Sequence, residues 1–466
     1  MKSNSRKITV LMVMLFLSVK VSANTILYTM PEENAEHEGT WLQWPHNYLY
    51  GPYYKDDVES TWIAMAGALQ SGEKVHIIAY DAAEQSNIIS VLTNAGVPLG
   101  NIDFFIHQTD DVWVRDNGPM FVYDESNELV ILDWGFNGWG GDTPYSLCDV
   151  IPYSVSQDLS LPWVDLSAMV LEGGAIEHDG NGTMMATRSS ITHPSRNPSL
   201  TEAQIEEYIT TNMGITKFIW LDGLYGSEIT DMHIDGVMKF ADDSTIVTMN
   251  NADLLYWELT QPDIDILYAA TNAENEPYNF VCIPLTQNNV VTEYGTNLGY
   301  KGSYANYYIA NTVVLVPVYN DPNDSVVLGI IQGIYPSRTV IGIDVRNLYA
   351  YGGMVHCVTQ QQPVDLSSAG FAEEPAVALQ LSQNYPNPFN DFTSISYTIS
   401  EPGTMSVALE VYNILGQKIE AISHSSSSAG EHSIVLSAES LGNGLFFYVL
   451  SANGQAMASR RMIVIE

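Results

Sequence analysis

The sequence is organised around one stretch, Tyr351-Gly352-Gly353-Met354-Val355-His356-Cys357-Val358-Thr359-Gln360. Two glycines open space in front of a single cysteine, and the β-type run from Met354 to Thr359 predicts a strand that carries Cys357 to the edge of that space. A lone cysteine with a histidine and carboxylates elsewhere in the chain is the pattern of a thiol nucleophile. A buried, inert cysteine is the commoner fate of such a residue. The flanking glycines and the motifs described next favour the nucleophile.

Three upstream motifs carry the partners that a thiol nucleophile needs: Trp113-Val114-Arg115-Asp116-Asn117-Gly118-Pro119, Glu172-Gly173-Gly174 and His233-Ile234-Asp235. Their alternation predicts that His233 and Asp235 lie on one strand and face the same way. Histidine can transfer protons near neutral pH, and the carboxylates of Asp116, Glu172 and Asp235 can bind a planar cation. Trp113 offers an apolar wall. Ordinary turn, loop and surface roles remain open for each motif, but together the residues suit attack on the central carbon of a guanidinium.

Composition narrows the classes of function. The chain has 466 residues, with 54 acidic residues against 17 lysines and arginines and a net charge of −37. Such a surface repels nucleic acid and anionic membranes and attracts cationic small molecules or peptides, although it also serves solubility. The three cysteines are widely spaced and form no CxxC or Cys/His pattern, so neither a metal site nor a disulfide framework is predicted. No metal or organic cofactor is expected, and Cys148 and Cys282 are predicted to be core residues.

The chain divides into four regions. Residues 1–23 form a predicted signal peptide, with a basic start, an apolar stretch too short for a confident membrane span, and the small-residue site Val21-Ser22-Ala23. No later stretch is long and apolar enough to span a bilayer. Residues 24–363 are predicted to form an α/β body, residues 364–382 a linker, and residues 383–466 a small all-β sandwich of short alternating strands.

Within the body, pairs of strands joined by polar turns recur near residues 113–122/129–134, 168–177/183–188, 233–240/245–249 and 304–310/313–318. The strand from Gly39 to Gln43 is predicted to pair with the cysteine strand, which makes five pairs in all. The irregular spacing makes this a weak internal repeat. Because the chemical motifs lie on the repeated pairs, a ring of such units would bring them together on its axis.

These motifs resemble those of the agmatine deiminase and bacterial peptidylarginine deiminase family, part of the guanidino-group-modifying superfamily. The similar stretches are Met30–Glu32, Trp41–Asn47, Asp111–Pro119, Asp133–Asn137, Leu171–Gly174, Thr230–Asp235, Ser303–Asn306, Asp321–Asp324 and Gly352–Pro363. The resemblance implies a five-bladed α/β propeller. It also implies the site roles: the nucleophile Cys357, the acid/base His233, the guanidinium ligands Asp116 and Asp235, the His233 partner Glu172, and the substrate contacts Trp113 and Asn306.

The sequence departs from the family at three places. Met232 stands where agmatine deiminases usually have glycine, Tyr351-Gly352-Gly353-Met354 stands for a run of the Gly-Gly-Gly-Asn type, and Arg188-Ser189-Ser190 replaces an acidic run. These departures spare the catalytic set and concern the far end of the substrate.

The C-terminal residues resemble a second family, the sorting domains of the type IX secretion system. The stretches that carry this resemblance are Ser382–Asn390, Val411–Gln417, Gly444–Tyr448 and Arg460-Arg461. The resemblance implies passage through the periplasm, followed by release or attachment at the cell surface, with the secretion machinery as a partner. An ordinary adhesive β-sandwich is the alternative.

The expected activity is hydrolysis of a guanidinium group through a cysteine thiouronium, with agmatine as the favoured substrate. Trp134, Phe136 and Trp139 are expected either to line a pocket for its butyl chain or to pack in the core. A carboxylate-bearing peptide arginine would need a basic anchor, and the nearest basic candidates in sequence are Arg188 and Lys239. The alternatives are a peptidylarginine deiminase, an amidinotransferase and a non-catalytic module that binds guanidine ligands.

Overall fold

A computed structural model describes residues 26–48, 51–367, 379–399, 405–413, 418–427, 430–452 and 455–464. The predicted signal peptide, residues 1–23, lies outside the described residues, and so do residues 368–378 of the predicted linker. The chain separates into two compact units, residues 1–368 and residues 369–466. None of the helices in the described ranges is long and apolar enough to cross a membrane.

The first unit alternates strands with helices. Its strands are β1 (His37–Gln43), β2 (Lys74–Ala79), β3 (Ile102–Ile106), β4 (Met120–Tyr123), β5 (Leu129–Gly135), β6 (Trp163–Val170), β7 (Ile176–His178), β8 (Thr183–Thr187), β9 (Lys217–Leu221), β10 (Met238–Asp242), β11 (Thr245–Thr248), β12 (Asn279–Cys282), β13 (Tyr308–Ile309), β14 (Val313–Val318), β15 (Thr339–Asp344) and β16 (Gln360–Pro363). Its α-helices are α1 (Pro52–Leu69), α2 (Ala82–Asn94), α3 (Val114–Asn117), α4 (Gly138–Gly141), α5 (Ile151–Leu159), α6 (Arg188–Ile191), α7 (Glu202–Met213), α8 (Asn251–Tyr256), α9 (Gln261–Tyr268), α10 (Asp324–Ile334) and α11 (Arg346–Ala350).

Five separate sheets repeat one pattern, an antiparallel pair followed by a parallel strand. Four of them have three strands each, in the orders β4-β5-β6, β7-β8-β9, β10-β11-β12 and β13-β14-β15. The fifth sheet, β16-β1-β2-β3, has the same pattern with one more parallel strand. In it the two ends of the body meet, because β1 pairs antiparallel with β16. The unit is therefore a mixed α/β fold, and the antiparallel partner of β1 is β16 rather than residues 354–359, with which the pairing was predicted.

Cys357 does not lie on a strand as predicted, because the strand begins three residues later in the chain. Residues His356–Val358 form a short 3₁₀ helix, and β16 begins only at Gln360. The Thr359 hydroxyl donates to the Val355 and His356 carbonyls, so this turn is closed by local hydrogen bonds before the sheet ladder begins. The prediction of a β-strand over Met354–Thr359 is wrong for this reason.

Helices α1 and α7 follow from patterns in their sequences. On α1, the side chains of Val58, Trp62, Met65 and Leu69 share one face and are fully buried, and each such side chain contributes roughly 1.5–3 kcal/mol of burial free energy. Helix α7 begins after Thr201, whose side chain and that of Gln204 form a reciprocal capping box. It ends at Gly214, which adopts a left-handed conformation with φ of +74°.

The second unit is built from strands. Its two sheets, β17-β18-β21 and β20-β19-β22-β23, are antiparallel, and their buried side chains form one core. The strands are β17 (Leu379–Leu381), β18 (Phe392–Ile399), β19 (Met405–Asn413), β20 (Lys418–Ser427), β21 (Gly430–Ser437), β22 (Gly444–Ala452) and β23 (Gln455–Val464). The predicted all-β character is confirmed, although the sequence patterns missed β17 and β20.

Candidate active site

The predicted site residues lie at the same place in each of the five sheets, shortly before the first strand. Asp116, Glu172, Asp235, Asn306 and Cys357 each lie within five residues of the first strand of an antiparallel pair, namely β4, β7, β10, β13 and β16 respectively. The short turns that carry the first three pack against one another, and α3 also packs against the Cys357 turn. The repeat of the fold therefore brings together residues that are far apart in sequence.

Cys357 lies at the junction of two cavities. The larger, of about 550 Å³, is lined by His233 and Asp235 together with Cys357. The smaller, of about 210 Å³, is lined by Asp116 and Trp113 together with Cys357. Ile229, Thr230 and Gly352 border both cavities, so these are two arms of one cleft with the thiol where they meet.

Two glycines make room for this junction, as the sequence predicted. Gly352 has a φ of +103°, a conformation that side chains rarely adopt. A Cβ on Gly353 would lie 2.1 Å from the Trp113 ring, so the tryptophan wall can pack only against a glycine.

His233 is held by a buried carboxylate. Its Nε2 lies 2.8 Å from Glu172 Oε2, and its Nδ1 faces Asp116 Oδ1 at 3.6 Å. The hydrogen bond to Glu172 orients the ring with Nδ1 toward the cleft. His233 and Asp235 do not alternate on a strand as predicted, because residues Ile234–Gly236 form a 3₁₀ helix and β10 begins only at Met238.

Arg196 was missed by the sequence analysis. Its guanidinium is almost fully buried, with Nε donating to Glu172 Oε1 at 2.8 Å and Nη1 donating to Asp231 Oδ2 at 2.6 Å. It neutralises the Glu172 carboxylate and ties it to the loop before His233. In that loop Asp231 and Met232 both have positive φ, 57° and 71°, a backbone conformation that glycine adopts more readily than other residues.

Asp116 is fixed from two sides. Trp139 Nε1 donates to Asp116 Oδ2 at 3.0 Å, and the Gly174 backbone N–H donates to Asp116 Oδ1 at 3.0 Å. Asp116 lies in helix α3 rather than at a strand start. Of the three aromatic residues proposed for a pocket, Trp139 borders the smaller arm, Phe136 packs edge-on against Trp139, and Trp134 belongs to a different core cluster.

Asp235 and Asn306 contact the residues around the thiol. Asp235 Oδ2 accepts from His356 Nδ1 at 2.8 Å. The fully buried Asn306 has its side-chain nitrogen 3.4 Å from Cys357 Sγ, and its side-chain oxygen accepts from the His356 backbone N–H at 2.9 Å. Asn306 therefore contacts the thiol of the predicted nucleophile and the backbone of the residue before it.

The electrostatics of the site favour a bound cation. Burial disfavours the charged form of His233, but Asp116 and Glu172 outweigh burial and raise its pKa to about 9. Burial raises the pKa of Asp116 to about 6, against the opposing effect of His233. Burial and the negative charges of Asp235 and Asp116 hold the pKa of the Cys357 thiol well above its usual range. A cation placed between the two aspartates would reverse these last effects.

The remaining cysteines and cations have other positions. Cys148 is buried as predicted, whereas Cys282 is exposed, so the prediction of a core residue is wrong there.

Arg188 forms ion pairs with Glu202 and Asp222. Lys239 is buried in ion pairs with Glu33 and Glu177, so neither cation lines the cleft. The basic residue that does line the larger arm is Lys301, which the sequence analysis did not consider.

Comparisons with known proteins show the family to which the chain belongs. A family model, the Porphyromonas-type peptidyl-arginine deiminase, matches residues 29–363, and the secretion system C-terminal sorting domain matches residues 383–466. The agmatine deiminase of Pseudomonas fluorescens is 30% identical over 368 residues, which cover 72% of this chain and 95% of that protein.

Solved structures of agmatine deiminases are also similar to this chain. The agmatine deiminase of Enterococcus faecalis, captured catalysing its reaction, superposes with a TM-score of 0.63 at 26% identity over 72% of this chain and 96% of its own. A C. jejuni agmatine deiminase shares the fold with a TM-score of 0.60 at 24% identity, over 73% of this chain and 97% of its own. The chain therefore belongs to the Porphyromonas-type peptidyl-arginine deiminase family, is a hydrolase of guanidino C–N bonds, and carries a sorting domain of the type IX secretion system.

Proposed function

We propose that the protein deiminates agmatine to N-carbamoylputrescine and ammonia through a covalent thiouronium on Cys357. The observation that carries this proposal is the position of the thiol where the Asp116 arm meets the His233–Asp235 arm, with His233 held by Glu172. In the same proposal, the five repeated sheets are the blades of a five-bladed propeller, and the turns before their first strands face its axis.

In the first half of the reaction, Asp116 and Asp235 bind the guanidinium nitrogens and place its central carbon in front of Cys357 Sγ. The cationic substrate offsets the two carboxylates that disfavour the thiolate, so the thiol releases its proton to solvent water as the sulfur–carbon bond forms. His233 donates a proton from Nδ1 to one nitrogen of the tetrahedral adduct. That C–N bond breaks, ammonia leaves, and a thiouronium remains.

In the second half, water replaces the sulfur. His233, now neutral, accepts a proton from water as the oxygen attacks the thiouronium carbon. The carbon–sulfur bond breaks, the departing Cys357 thiolate takes up the second proton of that water, and a neutral urea-type product leaves. Glu172 stabilises the protonated form of His233, and Arg196 holds the Glu172 side chain in place by its charge and hydrogen bonds.

The activity is expected to depend on pH in a bell-shaped manner. The ascending limb of kcat/KM should lie near pH 6, because Asp116 must lose its proton, with a pKa of about 6, to bind the cation. The descending limb should lie near pH 9, because His233, with a pKa of about 9, must keep the proton that it gives to ammonia. Ammonia release measured from acid to alkaline pH checks both limbs. A kcat/KM that keeps rising well beyond pH 9 would contradict the role of His233.

Agmatine is favoured over arginine by the acidic character of the larger arm. Glu228 and Glu258 are exposed and line this arm next to the aromatic rings of Tyr256 and Trp257. No lysine, arginine or histidine in the described residues lies within ion-pair distance of either glutamate. A carboxylate beside aromatic faces suits the terminal ammonium of agmatine. The P. fluorescens agmatine deiminase, similar over nearly its whole length, points the same way.

Peptide arginine is the second candidate, and one observation favours it. Lys301 lines the same arm, and its Nζ lies 5.4 Å from the Tyr256 ring centroid, with no carboxylate of the described residues within ion-pair distance. This ammonium could bind the carboxylate of a C-terminal arginine. Lys301 thus takes the place of Arg188 and Lys239 as the candidate anchor.

The substrate is decided by comparing agmatine with a C-terminal-arginine peptide on one preparation at one salt concentration. We expect the larger kcat/KM for agmatine, and Glu258→Gln should lower it about 3- to 30-fold through the loss of a favourable charge. Lys301→Met should leave agmatine turnover within about twofold or raise it, because an ammonium repels the substrate's own. A larger kcat/KM for the peptide that is lost in Lys301→Met would replace agmatine by peptide arginine and leave the chemistry unchanged.

Secretion through the type IX system is the proposal for the C-terminal unit. Ending the chain near Ala376 should leave a folded deiminase, because the two units have separate cores. The truncated protein should have the kcat/KM of the full chain but remain inside the producing cell. Deiminase activity measured in culture supernatant and cell fractions checks both statements, and normal export of the shortened chain would contradict the sorting role.

A further inference from the structure

A second buried charge cluster lies directly behind the cleft. His356 Nε2 is 2.7 Å from Glu33 Oε2 and 2.8 Å from Lys239 Nζ. Lys239 Nζ also donates to Glu33 at 3.1 Å and forms an ion pair with Glu177 at 2.7 Å. Lys239 and His356 are 1% and 2% exposed, so the cluster is shielded from solvent. None of the steps proposed above uses it.

The cluster reaches the substrate site through one imidazole. While Nε2 of His356 faces Glu33 and Lys239, Nδ1 contacts Asp235 Oδ2 at 2.8 Å. The His356 backbone N–H donates to Asn306 Oδ1, and the next residue in the chain is Cys357. One residue therefore touches a guanidinium ligand, touches the asparagine behind the thiol, and is covalently joined to the nucleophile.

The two partners of Nε2 fix the tautomer of His356 in either protonation state. If the imidazole is protonated, Nε2–H donates to Glu33 Oε2. If it is neutral, Nε2 accepts a hydrogen bond from the Lys239 ammonium. In both states the other nitrogen keeps its hydrogen, and Nδ1–H donates to Asp235. Without this paired acceptor and donor, a neutral His356 could move its hydrogen to Nε2 and turn a lone pair toward Asp235.

We propose that His356 is a positioning residue for deimination, locked by Glu33 and Lys239 so that its Nδ1–H always holds Asp235 toward the guanidinium. The inference rests on the proposed function, because it assigns Asp235 to the substrate cation. One oxygen of Asp235 is taken by His356, which leaves the other free for a guanidinium nitrogen at a defined angle. Asp235 without this hydrogen bond would be a buried carboxylate free to rotate and to take up a proton.

The charged groups around these two residues agree with that role. His356 faces Asp235, Glu33, Glu177 and Lys239, and Arg115 Nε lies 3.4 Å from its carbonyl oxygen. Asp235 faces His356 and His233, interacts with Lys239, and also lies close to the Asp116 carboxylate and the Cys357 thiol. Burial favours protonation of Asp235, but the His356 hydrogen bond and the nearby positive charge outweigh burial and lower its pKa.

Two substitutions of His356 distinguish the role of its Nδ1 from that of its Nε2. Asparagine places its amide nitrogen near the position of imidazole Nδ1, and glutamine places its own near Nε2. His356→Asn therefore keeps a donor for Asp235, whereas His356→Gln keeps a donor for Glu33 only. Agmatine binding is measured by calorimetry in full-length protein that also carries Cys357→Ser, so that turnover does not interfere. We expect His356→Gln to bind agmatine about 10- to 100-fold more weakly than His356→Asn, the loss of one hydrogen bond to a charged group.

Turnover of the same two variants with Cys357 intact gives a second readout. The loss in His356→Gln should appear mainly in KM, and its ascending pH limb should move to higher pH, because Asp235 then has a raised pKa. Equal losses in the two variants, or no loss in either, would mean a structural role and overturn the proposal. If agmatine does not bind Cys357→Ser at all, the proposed substrate fails, and the tautomer remains to be measured directly.

Histidine-selective ¹⁵N NMR of the Cys357→Ser protein makes that direct measurement and does not depend on the folding of His356→Gln. The His356 signal is assigned as the one missing in His356→Asn. Nδ1 is expected to stay protonated at every pH at which the protein is folded, whatever the state of Nε2. An unprotonated Nδ1 at neutral pH would overturn the proposal whether or not agmatine is the substrate.

Discussion

Replacing Cys357 with serine is expected to abolish turnover and leave the fold intact. The serine hydroxyl is a far weaker nucleophile than a thiolate, and Asp116 and Asp235 make its ionisation still harder, so kcat should fall at least about 10⁴-fold. The change in volume is small, and the side chain forms hydrogen bonds with the Asn306 amide and the Met354 backbone. Ammonia release measures the loss, and the free energy of unfolding should change by less than about 1 kcal/mol.

Cys282→Ser is the matched control, because Cys282 is exposed and lies on β12, far in sequence from the four motifs. This variant should keep the activity of the parent. Agmatine should still bind to Cys357→Ser, since its proposed ligands are carboxylates. Near-normal ammonia release by a folded Cys357→Ser protein would remove Cys357 from the mechanism, and normal binding without turnover would separate loss of chemistry from loss of the site.

The sequence motifs identify which residues meet at the site, but they give the wrong local structure. His233, Asp235 and Cys357 were placed on strands, whereas they lie on or beside short 3₁₀ helices. A short apolar run such as Met354–Thr359 fits a strand and a helical turn equally well by periodicity. Hydrogen bonds from Thr359 to the preceding carbonyls stabilise the turn. Such bonds cannot be read from a hydrophobic pattern.

Residues that support the site from behind escaped sequence analysis for a different reason. Arg196 lies in a turn between α6 and α7 without hydrophobic periodicity, and only tertiary structure brings it to Glu172 and Asp231. Lys301 likewise lies in an irregular segment, before β13. One signal was available: a chain with 17 basic and 54 acidic residues has few cations, so each one close to a chemical motif merits consideration as its partner.

That β1 pairs close to the C-terminal end of the body was predictable, because both ends carry strand patterns that need a partner, although the partner is β16 and not residues 354–359. The register of this pair was not predictable, since it depends on where the Cys357 turn ends. It was likewise not predictable that the site residues all lie just before the first strand of a sheet. The motifs indicate a repeat, while the pairing of the strands decides which residue of each motif points inward.

Replacing Gly174 with alanine is the second change with a large expected effect. A Cβ at this position would lie 2.5 Å from His233 Nδ1, 2.9 Å from Asp116 Oδ1 and 3.1 Å from Asp235 Oδ2. One methyl group would therefore occupy the point at which the proposed proton donor and both proposed guanidinium ligands converge. Displacement of these groups by a few tenths of an ångström or more should lower kcat/KM by about 10²-fold or more. The overpacking should lower the free energy of unfolding by about 1–3 kcal/mol.

Gly329→Ala provides the control, because Gly329 is an exposed glycine inside helix α10 with open space where a Cβ would be. That change should leave kcat/KM unaltered and raise the free energy of unfolding by about 0.5–1 kcal/mol, since alanine is the better helix former. Steady-state ammonia release and urea denaturation of the three proteins give both quantities. Full activity in Gly174→Ala would mean that His233, Asp116 and Asp235 can move apart without cost. The convergence of the three groups would then not be what activates the guanidinium, and the division of roles between the two arms of the cleft would have to be drawn differently.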